Sequence, residues 1–183
     1  NEMFGIKTVL IPDYGNMGIR DWAELDLNDR EFSKKSFDDS SWDFWLPKSI
    51  SKEQKNSGSF ESKLDENNQI ISDGVIWFRA KINIENIESD FNLIINNGID
   101  DVDQTYFNGH LIGNTIGWDK SRNYKISKKI LKKGENSIAI RVYDGGGPGG
   151  INGIVEVKNS LTSQSIPFNS FKFKHQAFIT NKK

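Results

Sequence analysis

The sequence predicts an all-β fold, a β-sandwich of the jelly-roll type, and three observations carry that expectation. Apolar residues recur with a period of two along several separate stretches, the spacing that puts one face of a strand in a core. The pair Asn108-Gly109 lies between apolar runs in "YFNGHLIG", which is the strongest short-range hairpin signal. Helical periodicity is thin throughout, and Gly and Asn punctuate the apolar runs, as short strands joined by turns require.

Taken in chain order, "DDSSWDF" predicts a turn capped by Asp38 or Asp39. Residues 49–72 are rich in Ser, Lys, Asn and Glu and read as a surface excursion. In "GVIWFRAKINI", Ile76, Phe78, Ala80, Ile82 and Ile84 point one way. Val75, Trp77, Arg79, Lys81 and Asn83 point the other way, a half-buried pattern. Trp77 and Arg79 would then face solvent or a neighbouring domain. Phe91, Leu93 and Ile95 repeat the alternation, and so do Ile138, Ile140 and Val142 against Ala139, Arg141 and Tyr143. "SKKILKKGEN" predicts one short helical turn ended by Gly134. "GIVEVK" and "SFKFKHQAF" close the series, the latter with Phe171 and Phe173 opposite Lys172 and Lys174. The whole reads as about eight to eleven strands. Residues 1–36 form an N-terminal extension packed on the sandwich, and residues 37–183 form the sandwich domain.

The totals narrow the function. At 183 residues the chain is one domain that buries a core without staples. A net charge of −1 gives no basic excess for nucleic acid. Cysteine is absent, which removes disulfides, thiol catalysis and Cys-type zinc sites. No stretch reads as a signal peptide or as an apolar run of bilayer length. A start at Asn1 rather than Met is what a mature or excised chain shows. Five tryptophans make the chain rich in aromatic plates.

Four stretches in one order carry a resemblance: "FDDSSWDFWLP", "GVIWFRAKINI", "GIDDVDQTYFNGHLIGNTIGWD" and "NSIAIRVYDGGGPGGINGIVEV". They resemble the galactose-binding-like jelly roll, the sugar-binding domain, of glycoside hydrolase family 2 enzymes. They are similar in particular to the β-sandwich domain of bacterial sialate O-acetylesterases. The likeness covers roughly residues 37–158. It implies an accessory domain that packs beside a catalytic one and at times lends a loop to its substrate cleft. The esterases' Gly-Asp-Ser nucleophile motif has no counterpart in this sequence, and neither does a Gly-x-Ser-x-Gly elbow.

The leading expectation is therefore a non-catalytic carbohydrate-binding or accessory module of a bacterial, secreted or cell-surface protein. Its partner is a glycan or a neighbouring catalytic domain, not nucleic acid or membrane. The alternatives are a hydrolase acting on glycans or their acetyl esters, and a purely structural interaction domain. In "GWDKSR", Trp118 offers a plate for the CH face of a sugar, and Asp119 and Arg122 offer hydroxyl partners. The other reading makes Trp118 a plug and Asp119–Arg122 a surface pair. The glycine-rich loop of residues 144–152 either only turns or lets a partner approach its backbone. In the second case Asp144, Gly146, Gly147 and Asn152 join the site, with the loop beside "GWDKSR" at one end of the sandwich. Asp100, Asp101 and Asp103 lie close enough in sequence for a structural calcium, against a reading as a hydrogen-bonded turn and strand edge. No other cofactor is expected. His110 and His175 have no carboxylate at ligand spacing and read as structural or surface residues.

Overall fold

Strand β2 (Gly74–Ile84) is the spine of the molecule, because it is hydrogen-bonded along its length to strand β8 (Gly134–Asp144). The computed structural model describes residues 30–45, 74–96, 98–144, 149–151, 154–167 and 170–178. The other described strands are β1 (Asp43–Phe44), β3 (Phe91–Ile95), β4 (Ile99–Asp100), β5 (Val102–Phe107) and β6 (His110–Ile116). They continue with β7 (Arg122–Ile126), β9 (Gly150–Ile151), β10 (Val155–Asn159), β11 (Ser165–Ile166) and β12 (Lys172–Phe178). A six-stranded sheet has the order β1-β12-β2-β8-β5-β6, and a four-stranded sheet has β11-β10-β3-β7. Strands β4 and β9 pair on their own. All pairings are antiparallel. From β2 onward the chain crosses between the two large sheets at each connection except the β5–β6 and β10–β11 hairpins, which is jelly-roll winding. No described helix is long and apolar enough to cross a membrane.

Alternation places the core as expected. Ile76, Phe78, Ile82, Leu93, Ile95, Ile138, Ile140 and Val142 are all buried and belong to one apolar cluster. Trp45 enters this cluster, its ring 5.3 Å from that of Phe78 and 5.7 Å from that of Phe173. Asn108 (φ 49) and Gly109 (φ 83) form the tight turn between β5 and β6, where positive φ at both positions suits the twist of the strands.

Two expectations need correction. The outer face of β2 meets neither solvent nor a second domain over its first half: Val75, Trp77 and Arg79 are buried. Residues 30–45 of the same chain lie over it, and Phe32, Phe37 and Trp42 pack with Trp77 and Ala139. Arg79 is tolerated there because its Nε donates to Asp39 at 2.9 Å, while Nη1 and Nη2 donate to the carbonyls of Phe32 and Lys34. The turn expected in "DDSSWDF" is present, with Asp38 accepting from the Ser40 N–H at 2.9 Å, and a short helix, α1 (Arg30–Ser33), precedes it. The turn in "SKKILKKGEN" is a 3₁₀ turn over Lys128–Ile130; Gly134 (φ 86) opens β8 and does not end the turn. Most of the extension of residues 1–36 and all of the excursion of residues 49–72 lie outside the described residues.

Candidate functional site

The candidate site grows from two inward-facing polar rows. In β5, Asp103, Thr105 and Phe107 share the buried face; in β7, Arg122, Tyr124 and Ile126 share it. The two strands belong to opposite sheets, so an acid and a base from different layers meet in the interior. Arg122 Nε donates to Asp103 Oδ1 at 2.8 Å, and neither side chain is exposed. Thr105 Oγ1 donates to Asp103 Oδ2 at 2.7 Å, and the Tyr124 hydroxyl lies 2.9 Å from the same oxygen. That hydroxyl is also 2.7 Å from Thr115 Oγ1 on β6. Burial pushes the Asp103 carboxyl above its ordinary value, while Arg122, Thr105 and Tyr124 pull it back down. Burial, reinforced by Asp103, pushes the Tyr124 hydroxyl upward, so it stays protonated and donating.

The remaining N–H groups of Arg122 reach the main chain. Nη1 donates to the carbonyls of Gly117, at 2.8 Å, and Lys120. Nη2 donates to Ile99 O at 3.0 Å and to Asp101 O at 3.4 Å. One guanidinium therefore holds the turn that carries Trp118 and Asp119, and also residues 98–101 beside it. Gly98 (φ 80) has to lack a side chain there: a Cβ would sit 2.6 Å from the Trp118 carbonyl oxygen. Trp118 is 65% exposed and Asp119 is exposed.

Residues 98–101 connect this turn to the glycine-rich loop. Ile99 and Asp100 pair with Ile151 and Gly150, and the Asp101 N–H donates to Tyr143 O at 3.0 Å. The loop's two ends and the Trp118 turn thus meet at one end of the sandwich. Gly146, Gly147 and Asn152 lie outside the described residues. Two glycines of the loop are described, and both serve packing. A Cβ on Gly149 would overlap the Asp144 carboxylate, and one on Gly150 (φ 99) would lie 3.3 Å from Phe78 Cζ. Gly149→Ala is expected to cost about 1–3 kcal/mol in a urea titration; an unchanged midpoint would mean that Asp144 can turn aside.

Several residues stand elsewhere than their spacing suggested. Arg122 does not form a surface pair with Asp119; it is buried and holds the turn from beneath. Asp144 is fully buried, so it is no surface acceptor in this arrangement. Asp100, Asp101 and Asp103 do not converge, since Asp103 points inward to Arg122, and among the described residues no group of three or more His, Cys, Asp or Glu could hold a metal ion. His175 is buried in β12. His110, at the far end of β6 from Trp118, lines an open groove of ≈ 690 Å³ with Lys34, Lys35 and Glu135. Tyr124, Thr105 and Thr115 escaped the sequence reading, although polar residues at inward positions of alternating strands were the available signal.

No family model and no curated protein matches the chain. Among solved structures it is similar to a glycosyl hydrolase family 2 member from Bacteroides cellulosilyticus, with 21% identity, 70% of this chain and 18% of that chain covered, and a TM-score of 0.48. It is similar to a beta-glycosidase from Bacteroides vulgatus, with 18% identity, 78% and 17% covered, and a TM-score of 0.45. A GH78 family rhamnosidase of Bacillus sp. GL1 matches at 19% identity, 58% and 12% covered, and a TM-score of 0.47. The chain spans less than a fifth of the length of each of these proteins.

Proposed function

We propose that this chain is a non-catalytic carbohydrate-binding module of a carbohydrate-active protein, exported by a bacterium. The observation that carries the reading is Trp118, a large aromatic side chain 65% exposed on a turn held from beneath by a buried guanidinium. A rigid indole open to water suits the CH face of a sugar ring, and the neighbouring Asp119 carboxylate suits its hydroxyls. The site is shallow, so affinity should be weak, with Kd on the order of 0.1–1 mM. The order of the four quoted motifs, which resembles the sugar-binding domains of family 2 glycosidases and sialate O-acetylesterases, supports the same reading. The chain alone is expected to hydrolyse neither acetylated nor nitrophenyl sugars.

Trp118→Ala tests this directly. On a printed saccharide array, the variant should lose roughly ten-fold or more of the wild-type signal, with an unchanged melting temperature because the ring packs on little. Retained binding would remove Trp118 from the site. A second reading is favoured by the exposure of Ile116 (49%) just before the turn: the same end docks on a catalytic domain. An array without hits, together with lost co-purification of a co-expressed catalytic domain in Trp118→Ala, would select that reading.

A further inference from the structure

We infer that Asp103 and Arg122 are positioning residues for the proposed Trp118 site, closed off from any ligand yet deciding whether the indole is held ready for one. The inference rests on the reading of Trp118 as the ligand plate. Among the described residues, the turn has few other hydrogen bonds to order it. Its own main-chain bonds are Gly117 N–H to Asp101 O at 2.9 Å and Lys120 N–H to Gly117 O at 3.5 Å, and the second is at the limit of a hydrogen bond. Arg122 Nη1 grips the two carbonyls that bracket Trp118 and Asp119, those of Gly117 and Lys120. The angle of that grip is set at the other end of the guanidinium, by the 2.8 Å bond from Nε to Asp103. Asp103 is in turn fixed by Thr105 and Tyr124. Orientation therefore passes from β5, through a planar fork, to the turn.

The chemistry needs both partners as they are. Lysine keeps the charge of Arg122 but is a point donor, and cannot span Asp103 and both carbonyls at once. Asparagine at 103 keeps the shape but removes the charge that balances the guanidinium. Without the grip, the turn must be ordered by the ligand, and that entropy weakens binding.

The pair also predicts an acid sensitivity. Arg122 and Tyr124 face Asp103 from β7, and Thr115 faces it from β6. On β8 it is paired with Val142, with Asp144 one pleat further on the same face. His175 on β12 lies in the same register row, across Ile76 and Val142. Because burial raises the Asp103 carboxyl, protonation begins at a higher pH than for an exposed aspartate. As pH falls through that range, Arg122 loses its partner and the turn loosens.

The test uses amide hydrogen exchange without ligand, and a printed array of neutral and acidic saccharides with the same proteins. In Asp103→Asn and Arg122→Lys, the hydrogen-bonded Gly117 and Lys120 amides should exchange about ten-fold faster than any acceleration shared with the β2 and β8 amides accounts for, and array signal per folded molecule should fall about ten-fold. In an Asp119→Asn background, which removes the exposed carboxylate at the site, binding should still decline in acid; adding Asp103→Asn should make it weak and flat with pH. Should Asp103→Asn unprotect the strands, Tyr124→Phe gives the milder form, with about two- to five-fold faster turn exchange. Unchanged turn exchange in every variant, or full array binding by a loosened turn, overturns the inference. If the wild type binds no saccharide, the proposed function fails, and faster turn exchange still supports the positioning role.

Discussion

Phe78→Ala is expected to destabilise the domain by about 3–5 kcal/mol, the range for emptying a packed aromatic site. Phe78 is fully buried on β2. Its ring meets Trp45 edge-on at 5.3 Å and stacks with Phe173 at 6.1 Å. Gly150 closes over its tip, where a Cβ would sit 3.3 Å from Phe78 Cζ. These neighbours come from the strap of residues 30–45, from β12 and from β9, so collapse of one of them cannot fill the hole. Urea unfolding followed by tryptophan fluorescence measures the loss. A cost below about 1.5 kcal/mol would mean that the cluster repacks, and that the strap and β9 are held less firmly than their contacts imply.

Asp39→Ala is expected to cost about 3 kcal/mol, because it leaves the Arg79 guanidinium buried without its counter-ion. Asp39 Oδ2 accepts from Arg79 Nε at 2.9 Å, and the arginine side chain is 1% exposed. Lys172 donates to the Asp39 main-chain carbonyl at 3.1 Å, which the substitution leaves in place, and its 3.7 Å pairing with the Asp39 carboxylate is lost. The loss should be nearly independent of salt, since the pair is screened from solvent. Cation exposure should also free the strap: Phe32 and Trp42 pack edge-to-face at 5.4 Å, and Phe32 meets Trp77 at 5.8 Å. Red-shifted tryptophan emission at a temperature where β2 and β8 amides remain protected would show the strap leaving the sheet. A stability change within 0.5 kcal/mol, or emission unchanged up to global unfolding, would show that the carbonyls of Phe32 and Lys34 satisfy Arg79 by themselves.

The two buried arginines solve one problem at two places. Each sits at an inward or covered position of a strand, takes an aspartate through Nε, and grips main-chain carbonyls outside the two large sheets through Nη1 and Nη2. Arg79 fixes the strap, and Arg122 fixes the Trp118 turn. Strands supply their own hydrogen bonds, whereas turns leave carbonyls over. A five-donor side chain is suited to collecting those carbonyls.

The strands and the core were legible before any coordinates, because period-two alternation is a local property: Ile76, Phe78 and Ile82 on one side, Lys81 and Asn83 on the other, and a turn at Asn108-Gly109. For Trp118 the sequence left a stacking plate and a plug at the end of the sandwich both open, and the fold decides it by leaving the indole 65% exposed. What local pattern does not contain is which residues from distant strands face each other. Arg122 and Asp103 are separated in sequence and belong to different sheets, so only the stacking of those sheets turned a supposed ligand contact into a buried clamp. Arg79 and Trp77 read as an open face because nothing in β2 announces that residues 30–45 will cover it. Burial is set by what packs on a strand, and that is decided by the tertiary fold, where the long-range gain of covering Trp77 outweighs keeping Arg79 in water only because Asp39 and two carbonyls arrive with the cover.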